Sequence, residues 1–179
     1  EVMQYRGLAL ATGSKPRPLT LPGGDAPGVL ALRSRDDASA IAERMTQCQT
    51  HQWPVVVIGG GFIGLEVAAT ARKKGLEVTV LEAAPRLLGR VLAELLSDWY
   101  ADLHRSHGVQ LVLGAQVDAF EMSDKASNPA SGSVSTPLSV VMGDGQRFPA
   151  GLVVVGIGVS ANDSLAITAG VACDRGIVV

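Results

Sequence analysis

The residues best suited to chemistry in this sequence lie in one stretch, VVVIGGGFIGLEVAATARKKGLEVTVLEA, from Val55 to Ala83. Gly59-x-Gly61-x-x-Gly64 follows an apolar run that reads as a strand and opens a segment that reads as a helix, and that context makes the three glycines informative. Each has a steric reason to be glycine. The first permits a tight turn, the second lets the backbone approach a pyrophosphate, and the third lets helix and strand pack closely. A pyrophosphate would rest on the helix N-terminus, where unpaired N–H groups and the positive end of the helix dipole favour an anion. Glu82 closes the next predicted strand about twenty residues later, where a carboxylate accepts hydrogen bonds from an adenosine ribose and repels a 2′-phosphate. The pattern therefore predicts NAD in preference to NADP, with Arg86 and Arg90 near enough in sequence to soften that preference. Two competing readings stand beside it: a Rossmann-type domain that binds nothing and, for Glu82 alone, a solvated surface acid.

Such a site needs a parallel sheet to hold it. Val55 to Ile58 is wholly apolar, the strand type covered on both faces, and it predicts a helix over Phe62–Lys74 and a strand over Glu77–Leu81. Upstream, RDDASAIAERMTQCQ places Ala38, Ile41, Ala42 and Met45 at helical spacing, with Asp36 or Asp37 positioned to cap the helix. A further helix is predicted over Leu92–Ser106, where Leu92, Leu95, Leu96, Trp99 and Leu103 form one apolar stripe and Trp99 reads as core. VQLVLG and AQVDAFEM read as strands, and LSVVMGDGQRF as a hairpin turning at Gly143-Asp144-Gly145. LVVVGIGVSAN is another valine strand running into a second glycine turn. Ser123–Pro137 is polar and rich in small residues, which reads as a mobile hairpin loop or an insertion. Near the start, Gly7–Ala11 reads as a short strand, and Pro16, Pro18 and Pro22 make the next segment a loop.

Composition narrows the classes. With 179 residues and 47% hydrophobic content the chain has enough apolar material for a buried core. Its 15 basic and 17 acidic residues leave a net charge of −2, with no electrostatic footprint for nucleic acid or anionic lipid. No signal peptide and no apolar run long enough to span a bilayer is present, so no membrane partner is expected. Cys48 and Cys173 form neither a C-x-x-C pair nor a metal cluster, and read as reduced, buried thiols of a cytoplasmic protein. His51, His104 and His107 are scattered, and the last two read as charges near a helix end. No metal site and no catalytic side chain is predicted.

Five blocks, LALATGSKPRPL, VLALRSRDDA, VVVIGGGFIGLEVAATA, LEAAPRLLGRV and LVVVGIGVSAN, occur in an order and spacing that resembles the flavin-dependent pyridine nucleotide-disulfide oxidoreductase superfamily. The similarity is strongest to its ferredoxin, putidaredoxin and rubredoxin reductase branch. The resemblance implies an α/β fold, a Rossmann-type three-layer parallel sheet with an antiparallel hairpin layer. It implies an NAD-binding domain over residues 20–149, with 1–19 and 150–179 as segments that join an FAD domain, so that the chain looks like a fragment. In the full-length family NADH reduces FAD, and electrons leave one at a time for a ferredoxin-like or rubredoxin-like iron–sulfur protein. The isolated fragment is expected to be inactive.

By the same resemblance Gly59, Gly60, Gly61, Ile63 and Gly64 would hold the NAD pyrophosphate, Glu82 the adenosine ribose, and Arg90 the adenosine end. Glu66 would lie near the nicotinamide, although by itself it also reads as an ordinary acid at the start of a helix. Gly156, Ile157 and Gly158 match the return turn that lines the nicotinamide pocket, and Thr12, Gly13 and Arg33 match positions on the flavin side. Departures are Ala161, where the family often has proline, Gly151, where an acid often precedes the valine strand, and the long Ser123–Pro137 segment. No C-x-x-x-x-C pair occurs in the chain. The alternatives are an NAD-sensing module without chemistry, or an NADH oxidase, nitrite reductase or disulfide reductase component of the same superfamily.

Overall fold

The computed structural model describes residues 4–122 and 137–179. In chain order the elements are β1 (Ser14–Pro16), β2 (Val29–Ala31), α1 (Arg35–His51), β3 (Val55–Ile58), α2 (Phe62–Lys73), β4 (Val78–Glu82), α3 (Glu94–Ser106), β5 (Val109–Leu113), β6 (Val117–Met122), β7 (Leu138–Met142), β8 (Arg147–Ala150), β9 (Leu152–Val155), β10 (Val159–Ala161) and α4 (Ser164–Thr168). They form two compact units, one spanning Pro18–Ile157 and one made of the residues up to Arg17 and from Gly158 onward.

The larger unit is built on a five-stranded parallel sheet in the order β2-β9-β3-β4-β5. Successive strand residues point to opposite faces, and here both faces are covered. Val55, Val57, Leu152 and Val154 pack with Ile41, Met45 and Cys48 of α1 and with Val67, Ala68 and Ala71 of α2. Val56, Ile58, Val153 and Val155 pack instead with Phe120, Leu138, Val140 and Phe148 of an antiparallel sheet ordered β6-β7-β8. The result is a three-layer α/β fold, and the double burial is why β3 and β9 are uniformly apolar. Each of the buried Val, Leu, Ile, Met and Phe side chains among them contributes about 1.5–3 kcal/mol relative to exposure. The compact unit reaches Ile157, beyond the predicted interval 20–149, because β9 lies between β2 and β3 and pairs with both.

Several local expectations are corrected by the geometry. The cap of α1 is Ser34, not Asp36 or Asp37: the Ser34 hydroxyl accepts from the Asp37 N–H, and the Asp37 carboxylate accepts from the N–H groups of Ser34 (2.7 Å) and Arg33 (3.0 Å). That capping box satisfies otherwise orphaned donors, and the bond from the Ser34 N–H is the main reason the Asp37 carboxyl is held below its ordinary pKa. No strand forms over Gly7–Ala11; β1 lies further on and includes Pro16 opposite Val159. A two-stranded ribbon is all edge, so proline costs it no interior ladder bond.

The largest reversal concerns α3. Its inward side is Ser97, Ala101 and His104, while Leu95 is 80% exposed and Trp99 56% exposed, with Leu96 and Leu103 also exposed. Ala101 packs among Leu65, Leu87 and Leu88, with Leu111 and Leu113 beside them, so the small residues let the helix approach and the long ones face out. Trp99 meets Tyr100 edge-on at 5.1 Å rather than entering the core.

Cys48 is buried and its thiol is pushed up to about 11 by burial, whereas Cys173 is only half-buried; both are free thiols. Gly151 stands where the resemblance implies an acid because a Cβ there would lie 2.4 Å from the Trp53 Cβ and 2.8 Å from the Cys48 Sγ. The Gly143-Asp144-Gly145 turn forms as expected, with Gly145 in the left-handed region. The expected loop over 123–137 lies outside the described residues except for Pro137. Among the described residues no helix is long and apolar enough to cross a membrane.

In the smaller unit β1 and β10 pair antiparallel, and Asn162 ties to the segment before β1. The Thr12 hydroxyl donates to the Asn162 carbonyl (2.5 Å), the Asn162 amide donates to the Thr12 carbonyl (3.0 Å), and the Asn162 N–H donates to the Gly13 carbonyl (2.9 Å).

Burial, reinforced by repulsion from His107, holds the His104 imidazole below its ordinary pKa of 6.5. The unfolded chain therefore takes up the proton first, so stability is fully present above pH 6.5 and is lost as pH falls from there toward the folded-state value. Urea unfolding at closely spaced pH values, from about 7.5 downward through the histidine range, is expected to show a falling midpoint. His104→Gln is expected to remove that slope, and an unchanged slope would exclude His104 as its source.

Candidate functional site

The site is built where β3, β4 and β9 end together at the C-terminal edge of the parallel sheet, the place where open α/β sheets accept ligands. Gly59 turns the chain with φ +106°, and a Cβ there would lie 2.4 Å from the Gly156 carbonyl, so the turns leaving β3 and β9 touch backbone to backbone. The strand ladder carries into them: the Gly59 N–H donates to the Leu81 carbonyl (2.8 Å) and the Gly156 N–H to the Ile58 carbonyl (2.7 Å). Gly64 lets α2 settle onto β3, since a Cβ on it would lie 2.1 Å from the Gly59 carbonyl and 3.2 Å from a Val57 methyl. A Cβ on Gly60 would lie 2.5 Å from a Leu87 methyl.

Gly61 differs from the other three. Nothing lies within 4 Å of its would-be Cβ. It is the N-cap of α2 in extended conformation and supplies no side-chain cap, while its carbonyl accepts the first helical bond from Leu65 at 3.0 Å. The first-turn N–H groups of a helix have no partner inside it, so here they are left for whatever enters from the open side. An anion of pyrophosphate type fits that arrangement in charge and in space.

Glu82 ends β4 half-buried, its carboxylate accepting from the Gly60 N–H (2.5 Å) and the Ala84 N–H (2.7 Å). An ionised carboxylate has roughly four acceptor positions, so about two remain, enough for the vicinal hydroxyls of a ribose. The loop after β4 closes on the same glycine: Leu88, in the left-handed region at φ +53°, donates its N–H to the Gly60 carbonyl at 3.0 Å. Arg86, within this loop, donates to the carbonyls of Leu92 (2.7 Å) and Gly89 (2.9 Å) and to the Ser97 hydroxyl (2.7 Å).

Of the predicted residues, the structure brings together Gly59, Gly60, Gly61, Gly64, Glu82 and Gly156; a Cβ on Gly156 would stand 3.7 Å from the Gly64 nitrogen, an ordinary contact. Ile63 and Glu66 are exposed on α2, and Glu66 lies past its first turn. Arg90 is exposed in the turn before α3, Ile157 follows Gly156 at the end of the larger unit, and Arg33 is exposed beyond β2. Thr12, Gly13 and Gly158 belong to the smaller unit. Leu88 and Ser97 are not singled out by sequence; the one available signal is a small polar residue spaced with Ala101 and His104 along α3. No group of three potential metal ligands occurs among the described residues. A cavity of about 680 Å³ opens at the other end of β3, among Trp53, Pro54, Lys74 and Pro149, away from the glycines.

Comparison with known proteins places this geometry. The family model described as pyridine nucleotide-disulphide oxidoreductase matches residues 1–179. Rhodocoxin reductase of Rhodococcus erythropolis is 42% identical over 177 residues, 99% of this chain and 38% of that protein. The ferredoxin–NAD(+) reductase component of the biphenyl dioxygenase system of Paraburkholderia xenovorans (strain LB400) is 40% identical over 178 residues, 99% of this chain and 40% of that protein. Among solved structures, the covalent putidaredoxin reductase–putidaredoxin complex superposes with a TM-score of 0.84 at 43% identity, covering 99% of this chain and 40% of that one. The chain thus spans about two-fifths of the length of the curated relatives it matches.

The two inner glycines separate architecture from ligand space. Gly64→Ala gains about 0.5–1 kcal/mol of helix propensity but drives a methyl into a backbone carbonyl, and overpacking of about 1–3 kcal/mol wins. Gly61→Ala meets no neighbour and is expected to stay within about 1 kcal/mol of the parent, the scale of a cap change. Denaturant titration of both variants checks this, and equal destabilisation would contradict the assignment of Gly61 to open space.

Proposed function

This chain belongs to the pyridine nucleotide-disulphide oxidoreductase family, and from that premise we propose that it is the NADH-binding part of an FAD-dependent reductase. The parent protein passes electrons from NADH through flavin to a ferredoxin-like or rubredoxin-like iron–sulfur protein. One observation carries the reading: the open face of Gly61 and the unused acceptor positions of Glu82 are joined through Gly60. A helix N-terminus for a pyrophosphate and a carboxylate for a ribose diol are thereby held at a fixed separation, as an NAD half-site requires. The acceptor is supported by relatives named for ferredoxin and by the structure of a related reductase joined to putidaredoxin.

In this reading Gly59, Gly60, Gly61, Ile63 and Gly64 hold the pyrophosphate, Glu82 the adenosine ribose and Arg90 the adenosine end. Glu66, Gly156, Ile157 and Gly158 line the nicotinamide end, and Thr12, Gly13 and Arg33 stand on the flavin side. The NAD-binding domain is 20–149 together with β9, and the remaining terminal residues connect it to a flavin-binding domain. Bound FAD supplies the conversion between two-electron and one-electron transfer; this chain binds and orients the nucleotide, and none of its side chains acts as an acid or base. The setting is cytoplasmic, a reading supported by the two free cysteines.

Calorimetric titration with NADH and NADPH at one salt concentration tests the proposal, with NADH expected to bind in clear preference; binding of neither, or a preference for NADPH, would overturn it. Glu82→Ala is expected to weaken NADH binding about tenfold, the scale of one or two charge-assisted hydrogen bonds discounted for partial exposure. Gly61→Ala is expected to lose NADH binding while unfolding at nearly the parent's denaturant midpoint, because its methyl occupies the space left for phosphate.

A further inference from the structure

The loop between β4 and α3 contains an arginine four residues past Glu82, and in Rossmann sites a guanidinium near that acid accommodates the 2′-phosphate of NADP. Here that guanidinium is already committed. Arg86 spends three hydrogen bonds within its own chain, to Leu92, Gly89 and Ser97. Ser97 is 1% exposed, one of the two buried polar residues among those described, so its hydroxyl has Arg86 as its partner in a place where water does not compete. A buried hydroxyl left without a partner is costly, which makes the pair a latch rather than a passing surface contact. The latched loop is in turn bound to the glycine turn, through the Leu88 N–H on the Gly60 carbonyl and the Leu87 side chain against Gly60.

We propose that Ser97 and the carbonyls of Gly89 and Leu92 set the nucleotide preference of this site by holding Arg86 away from the 2′-position, so that the Arg86 charge does not stand beside Glu82 there. Ser97 is a positioning residue: it acts through Arg86, and through the loop it keeps the adenosine side of the Gly60 turn in shape. The inference rests on the NADH reading above and goes beyond it in assigning discrimination to a residue on α3 that contacts no nucleotide.

The test is the ratio of NADH to NADPH affinity, measured by titration on the parent chain, Ser97→Ala, Arg86→Gln and the double variant. Ser97→Ala is expected to narrow the parent's ratio by about fivefold, the scale of a partly exposed charge-assisted pair formed when the guanidinium, left with only the Leu92 and Gly89 carbonyls, exchanges them for the 2′-phosphate. In the double variant the narrowing disappears, because the cation is gone. Arg86→Gln alone lowers affinity for both nucleotides without favouring NADPH. A merely structural role would weaken both nucleotides alike, so an unchanged ratio in Ser97→Ala overturns the proposal. Should Ser97→Ala fail to fold by circular dichroism, Arg86→Lys carries the same test, since lysine keeps the charge but lacks the two-nitrogen fork with which Arg86 reaches Leu92, Ser97 and Gly89; an unchanged ratio there overturns it equally. If the parent binds neither nucleotide, the NADH reading fails and this inference with it; if the parent prefers NADH and the ratio is insensitive, only this inference fails.

Discussion

One peptide position holds the site together: Gly60 has both its N–H and its C=O claimed by the chain that leaves β4. Glu82 takes the N–H and Leu88 supplies a donor to the C=O, so the turn after β3 cannot move independently of the turn after β4. The same glycine admits Leu87 against its α-carbon, where any side chain would collide. This constraint gives the Glu82 carboxylate and the open helix N-terminus a common frame, and the geometry on either side derives its precision from it.

That frame is rigid because of what lies under it. β3 and β9 are central strands buried on both faces, and β4 beside them is buried at Val78, Val80 and Leu81, between α1 and α2 on one side and the β6-β7-β8 sheet on the other. Their C-terminal ends have almost no freedom, and the glycine turns inherit that fixity through the bonds from Gly59 to Leu81 and from Gly156 to Ile58. The elements farther out contribute differently. α3 presents Ser97, Ala101 and His104 inward and long apolar residues outward, and meets the site through the cluster of Leu65, Leu87 and Leu88 and through the Arg86–Ser97 bond.

The parts of this arrangement that depend on local sequence are legible in the residues themselves. The apolar run at Val55–Ile58, the spacing of Gly59, Gly61 and Gly64, and the acid at Glu82 each have steric or electrostatic reasons that operate within a few residues. Tertiary choices are not legible there. Periodicity finds the stripe of leucines and Trp99 and takes it for the buried face, whereas the inward residues are Ser97, Ala101 and His104, a pattern with too little apolar content to stand out in the sequence. Burial goes there because the short Ala101 side chain lets α3 approach Leu65 and Leu87. The Arg86 tie is hidden for a related reason: two of its three partners are carbonyls, which carry no residue identity. Gly151 shows the converse, a residue that looks like a departure until Trp53 and Cys48 account for it.

The position of β9 has a consequence for how the molecule is made. β3 must find β9 about a hundred residues later in the chain, with two helices, two further strands of its own sheet and the antiparallel sheet β6-β7-β8 between them among the described residues. Closing a loop of that length is entropically slow, and parallel pairing at such separation is among the last steps a chain completes. During synthesis the flank of β3 that β9 will cover is an open row of backbone donors and acceptors beside four buried-type apolar residues, a surface liable to pair with another nascent chain. The molecule is therefore most vulnerable to aggregation in the interval between the emergence of Ile58 and that of Val155, and the valines that make its finished core so uniform are the same residues that make its birth hazardous.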